Sequence, residues 1–186
     1  MSMLLPVLFA GYIFDFGLDR WLRPERYPCA ALLSAVSYVV LYYALHDSLL
    51  IVKGIVFIQM LIIAGYIDIA KHKIPDVICV LILLDGLILV NPLQAAIGFF
   101  AASLPMLLIG IIMEGGVGGG DVKLMAASGV VLGPLGVLAG TIISCAALFF
   151  SVFVRYARYR KFNRMNAMAP YFAIGCFIAY LLEFKG

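Results

Sequence analysis

The chain has 186 residues, 65% of them apolar and 12% charged, against roughly 45–50% and about 25% in soluble domains, which excludes a soluble globule. A membrane core about 30 Å thick takes about 20 residues per helical crossing, so the length allows at most about eight or nine spans and no sizeable extramembrane domain. The formal charge of +3, from 13 Lys+Arg against 10 Asp+Glu, is too slight to argue for nucleic acid; in a membrane protein basic residues chiefly report orientation.

The chain begins with an apolar run at 3–16. It has no basic residue ahead of it and no small-x-small cleavage site, so it reads as a retained first span and not as a signal peptide. Polar breaks then delimit apolar segments at 28–45, 49–70, 77–90, 93–113, 122–132, 135–154 and 167–182, all helical because lipid leaves no other open backbone solution. Cys29, Cys79, Cys145 and Cys176 stand singly along these stretches, with no Cys-x-x-Cys pair, and read as packing residues. The segment 122–132 would reach only about 17 Å at helical rise, so it either crosses a thinned region or starts below the membrane surface.

Whether Gly133-Pro134 separates two spans is decided by the basic residues, since short cytoplasmic loops carry the excess. With eight spans, one side holds Arg20, Arg23, Arg26, Lys71, Lys73, Lys123, Arg155, Arg158, Arg160, Lys161 and Arg164, and the other only Lys53 and Lys185. Fusing 122–154 into one helix reduces eleven against two to seven against six. The expectation is therefore an all-α polytopic bundle of about eight spans in the lipid bilayer, one domain over 1–186, both termini outside.

Ionisable groups within spans are costly, so each is a functional candidate: Asp15, Asp68, Asp85, Glu114 and Asp121. Asp68 ends the third segment and Asp121 follows Gly115-Gly116-Val117-Gly118-Gly119-Gly120 at the start of the sixth, so both fall at the cytoplasmic boundary. Two carboxyls facing each other there can share one proton, one acting as base on a water and the other as acid toward a carbonyl, which is aspartyl peptidase chemistry. Glycines before Asp121 let the backbone take left-handed conformations or approach a peptide closely. Asp121 begins a helix and Asp68 ends one, so each residue's own helix dipole places the shared proton on Asp68 and the charge on Asp121. For Asp15, Asp85 and Glu114 interhelical hydrogen bonding is the default.

The run Gly118-Gly119-Gly120-Asp121 resembles the Gly-x-Gly-Asp element of intramembrane aspartyl proteases. Its continuation, from Gly120 through Asp-Val-Lys-Leu-Met-Ala-Ala-Ser to Gly129, is similar to the type IV prepilin leader peptidases in particular. Ile67-Asp68 with Ile74-Pro75-Asp76, Gly133-Pro134, and the stretch from Ala169-Pro170-Tyr171 to Gly175 resemble the same family at matching places, so the likeness covers about 63–180. The resemblance implies an aspartic endopeptidase with Asp68 and Asp121 as the catalytic pair and Gly118, Gly120, Lys123 and Pro75 around them, needing no metal or cofactor. It further implies removal of the leader from a prepilin or pseudopilin precursor at the cytoplasmic face of a prokaryotic inner membrane. Longer bacterial members carry paired cysteines in the first cytoplasmic loop, in a domain associated with methylating the new amino terminus. Here that loop, about 19–27, has no cysteine pair, so N-methyltransferase activity is expected to be absent.

Other readings stand beside these. Within the enzyme class the alternative is a preflagellin or presenilin-like protease; outside it, a proton-coupled transporter or channel component using Asp68 and Asp121 as a relay. The glycine run is no nucleotide loop, because Lys123 lacks the Gly-Lys-Ser/Thr arrangement. Lys71, Lys73 and the basic residues of 155–164 read as topological determinants or headgroup contacts, and Lys123 divides between that and substrate binding. His72 reads as an interfacial loop residue without metal partners, and Asp76 as the cap of the helix after Pro75.

Overall fold

A computed structural model of the chain describes residues 29–45, 47–88, 91–112, 117–159 and 167–184. The first predicted segment, Asp15, Glu114 and the loop 19–27 lie outside the described residues. Within them the protein is all helical: α1 Cys29–Ala44, α2 Ser48–Lys71, α3 Asp76–Gly86, α4 Pro92–Ile112, α5 Gly119–Tyr159 and α6 Ala169–Phe184. Three helices, α2, α4 and α5, are long and apolar enough to cross a membrane.

Local chemistry sets the boundaries near the candidate residues. Asp47 caps α2, its carboxylate accepting the Leu49 N–H at 3.0 Å. At the other end His72 takes the left-handed conformation, φ 50° and ψ 37°, and its N–H donates to the Asp68 carbonyl at 2.8 Å, so it is the C-cap of α2 and not merely a loop residue. Pro75, at φ −65° and ψ 133°, is the N-cap of α3 without a side-chain cap bond. Asp76 is thus the first helical residue and not the cap expected from the sequence; there its charge meets the positive end of the helix.

Small residues bring the helices together, as is usual where lipid supplies no hydrophobic contrast. Gly98 of α4 and Gly129 of α5 are back to back: a Cβ on either would collide with the other's carbonyl oxygen. Gly175 of α6 packs in the same way against the Gly140 carbonyl and Ser144 of α5. Hydroxyls on these faces are satisfied within their own helices, as Ser128 Oγ is by the Leu124 carbonyl at 2.8 Å.

Helix α5 is broken at Gly133, whose φ of 71° and ψ of 179° belong to no helix and suit only a residue without Cβ. Its contacts trace a reversal there. Ahead of the break, α5 begins beside the end of α2, with Gly120 against Ile74, and Val130 then meets Gly86 at the far end of α3. Behind it, Gly136 lies by Glu183, Gly140 by Ala179 and Ser144 by Gly175, while Ser151 reaches the Tyr171 hydroxyl at 2.7 Å. The second half therefore runs antiparallel to α6 and returns to the end where α5 began. Seven helical rods alternate in direction among the described residues, and the break falls where the sequence separates its sixth and seventh segments. One end of the bundle gathers Asp68, Asp121 and the start of α6; the opposite end gathers Lys53, Ile88 and the Gly133 turn.

Candidate active site

At the first of these ends, Asp68 and Asp121 are only 7% and 9% exposed. Asp68 stands in the last turn of α2, one turn after Gly65, where an added Cβ would come within 3.3 Å of Pro170 Cα. That close approach brings the start of α6 to the carboxylate, and the Ala169 N–H donates to Asp68 Oδ2 at 3.0 Å. Asp121 stands in the first turn of α5, its own N–H bonded to the Gly118 carbonyl at 3.0 Å. The two buried carboxyls, one from the end of α2 and one from the start of α5, thus lie at the same end of the bundle. Asp121 Oδ1 is buried without a hydrogen-bond partner among the described residues.

The glycines before Asp121 serve close packing and not an unusual backbone. Neither Gly118 nor Gly120 has a positive φ; among described glycines only Gly133 does. A Cβ on Gly118 would lie 2.8 Å from Asp121 Oδ2, and one on Gly120 would lie 3.2 Å from Ile74 Cβ. Of the two expectations held for these glycines, the left-handed backbone is overturned, and the close approach is first of all to the protein's own residues.

Lys123 and Asp76 form an exposed ion pair at 2.8 Å that ties the start of α5 to the start of α3. At about 100° per residue, Asp121, Leu124, Met125 and Ser128 lie on one side of α5 and Val122, Lys123, Ala126 and Ala127 on the other. The second set lines an apolar cavity of about 520 Å³ between α3, α4 and α5, on the side of α5 turned away from Asp121. Pro75 lies in the short connection that carries Ile74 against Gly120. Among the described residues no cluster of three His, Cys, Asp or Glu side chains could hold a metal ion.

A second polar group lies at the opposite end; the sequence singled out Asp85 within it but not its partner Lys53. Lys53, counted as marking the outer side, is 4% exposed inside α2, and its ammonium donates to the Ile88 carbonyl at 2.7 Å. Asp85 of α3, 7% exposed, attracts it electrostatically, and Asp85 Oδ2 has no partner among the described residues. The Tyr180 hydroxyl nearby donates to the Leu50 carbonyl at 2.7 Å. The only sequence signal was a charge on each of two adjoining helices, without a spacing that would pair them.

Comparison with known proteins decides the family. Residues 55–154 match the type IV leader peptidase family, a stretch that contains both aspartates and the glycine run. The chain is also 34% identical over 189 residues to the prepilin leader peptidase/N-methyltransferase of Bacillus subtilis (strain 168), covering 96% of this chain and 75% of that protein. The chain belongs to the type IV leader peptidase family. It is a membrane-embedded peptidase of that family, built on an all-helical fold. No solved structure matches it.

Proposed function

We propose that the protein is an intramembrane aspartic endopeptidase that removes the leader from type IV prepilin or pseudopilin precursors, with Asp68 and Asp121 as its catalytic pair. The observation that carries this reading is the meeting of two buried carboxyls from α2 and α5 at one end of the bundle. Like charges so close cannot both ionise readily, and a pair holding one proton has a base and an acid side by side. The ionised carboxyl takes a proton from water as its oxygen attacks the scissile carbonyl carbon, while the protonated partner gives its proton to the carbonyl oxygen. Collapse of the tetrahedral intermediate then breaks the C–N bond, and the amine leaves with a proton returned through the pair. Gly118 and Gly120 pack beside Asp121 with Pro75 in the adjoining connection, while Lys123, on the other side of α5, is tied to Asp76.

The active end faces the cytoplasm in this reading. Lys71, Lys123, Arg155 and Arg158 belong to that end and Lys53 to the other, the asymmetry expected of an inward-facing surface. Seven alternating rods together with the segment 3–16 support eight crossings, both termini outside. The relative's name couples peptidase to N-methyltransferase; for this chain only the first activity is proposed, because the loop 19–27 has no cysteine pair.

The test is cleavage of a prepilin leader peptide by the purified full-length protein in detergent. Activity is expected from the parent and from neither Asp68→Asn nor Asp121→Asn, while both variants insert and remain monodisperse. With S-adenosylmethionine present, mass spectrometry of the product should show no added methyl group. Turnover by either Asn variant would overturn the catalytic assignment.

A further inference from the structure

The carboxyl pair has a third structural partner, the first turn of α6. Each amide of that turn can be accounted for. The N–H groups of Tyr171 and Phe172 both reach the Met168 carbonyl, at 3.0 and 3.2 Å. Pro170 has no N–H to place. Ala169 is left with an amide that no helical carbonyl takes, and it points across to Asp68 Oδ2 at 3.0 Å, between residues 101 positions apart in sequence. Ala169 is fully buried, so water does not compete for this bond.

The turn is held in place from two further sides. Pro170 packs flush on Gly65 of α2, and the Tyr171 hydroxyl lies 2.7 Å from Ser151 Oγ on the returning half of α5. An N–H and the positive end of α6 therefore meet Asp68 from a fixed direction, and a hydrogen bond of this kind is strongest to an ionised acceptor. Asp121 Oδ1 has no such partner among the described residues. The start of α6 is thus a third helix end at the pair, beside the end of α2 and the start of α5.

Resting on the reading of Asp68 and Asp121 as the catalytic pair, the geometry points to the first turn of α6 as a positioning element. The Ala169 N–H fixes Asp68 as the ionised member, with Oδ1 left for the attacking water, and Asp121 carries the shared proton. This reverses the distribution expected from the sequence.

The experiment replaces Ala169 by lactic acid in the full-length protein through nonsense suppression, exchanging that one amide N–H for an ester oxygen and leaving the side chain as it was. For leader-peptide cleavage, kcat should fall about ten- to hundredfold, the loss expected for a hydrogen bond to a charged group, with KM unchanged. Ala169→Gly, which keeps the N–H, should retain the parent kcat. Tyr171→Phe, which frees the same turn from Ser151, should lower kcat by a smaller factor. An ester variant with the parent kcat would overturn the inference, as would one whose KM rises in step with the loss of kcat, the mark of a merely structural bond. If the ester variant is not monodisperse, Tyr171→Phe decides, and an unchanged kcat there counts against the proposal. Activity in Asp68→Asn would sink the catalytic reading itself; activity in the ester variant alone, with both Asn variants dead, sinks only this one.

Discussion

At the Lys53 end of the bundle a buried lysine faces a buried carboxyl of opposite charge, whereas at the Asp68 end both buried groups are carboxyls. The first arrangement offsets part of its own desolvation and joins α2 to α3 where both emerge from the packed core. The second has no counter-charge: two buried carboxyls do not both ionise readily, and a single hydrogen bond from Ala169 is the support seen for the pair among the described residues. Burial of charge by itself therefore does not mark a functional site in this protein. What separates the two ends is whether the buried charges answer one another.

Breaking the contrast should give opposite readouts at the two ends. Asp68→Asn or Asp121→Asn should cost on the order of 10³-fold or more in turnover without lowering thermal stability, because Asn keeps the size and an acceptor oxygen of the carboxyl and buries no charge. Next in size is Gly120→Val, whose added carbons would push Ile74 away from the start of α5 and misplace Asp121; turnover should fall at least about 10²-fold while the protein still inserts and runs as one species in detergent. Full activity of that variant would reduce the glycine run to a connector.

At the other end the effect should appear in stability alone. Lys53→Met should lower unfolding free energy by about 2 kcal/mol, because it strands the Ile88 carbonyl and the Asp85 carboxyl, and Lys53→Met with Asp85→Leu should recover much of that, both with the parent kcat. A fall in kcat without loss of stability would mean that the Lys53 group takes part in turnover. The smallest change is expected of Lys123→Ala. Its ion pair with Asp76 is exposed and contributes little in solvent, so the thermal midpoint should hardly move, and kcat and KM should stay near the parent values because Lys123 lies on the side of α5 turned away from Asp121.

Much of this contrast was legible in the sequence at the Asp68 end and little of it at the other. Asp68 and Asp121 announce themselves as carboxylates in apolar surroundings, one of them after a glycine run, and Gly133-Pro134 marks a break that the count of basic residues can test. These are local signals that need no knowledge of packing. The Ala169 amide is invisible because a backbone N–H carries no residue signature, and its bond to Asp68 joins positions 101 residues apart with α3, α4 and both halves of α5 between them. Lys53 misled for the opposite reason: a lone lysine near a segment end looks like a loop charge until α3 is laid against it. The role of Gly118 and Gly120 was half legible, since glycine signals either an unusual φ or a close neighbour and only coordinates tell which.

The turn at Gly133 also bears on how a hydrolase inside a bilayer obtains its water. The outgoing half of α5, residues 119–132, is about 21 Å long, and α3 beside it only about 16 Å, against a hydrocarbon core of about 30 Å. The two rods meet through Gly86 and Val130 near the Gly133 turn, so with that turn at the outer surface the shortfall of roughly 10 Å falls at their other ends, where Asp121 and Asp76 begin them. The lipid there has to dip, or polar solvent has to fill the recess. A short pair of helices anchored at the far side thus leaves a recess at the end that holds the carboxyls, and in the proposed orientation water reaches that end from the cytoplasm without a channel through the bundle.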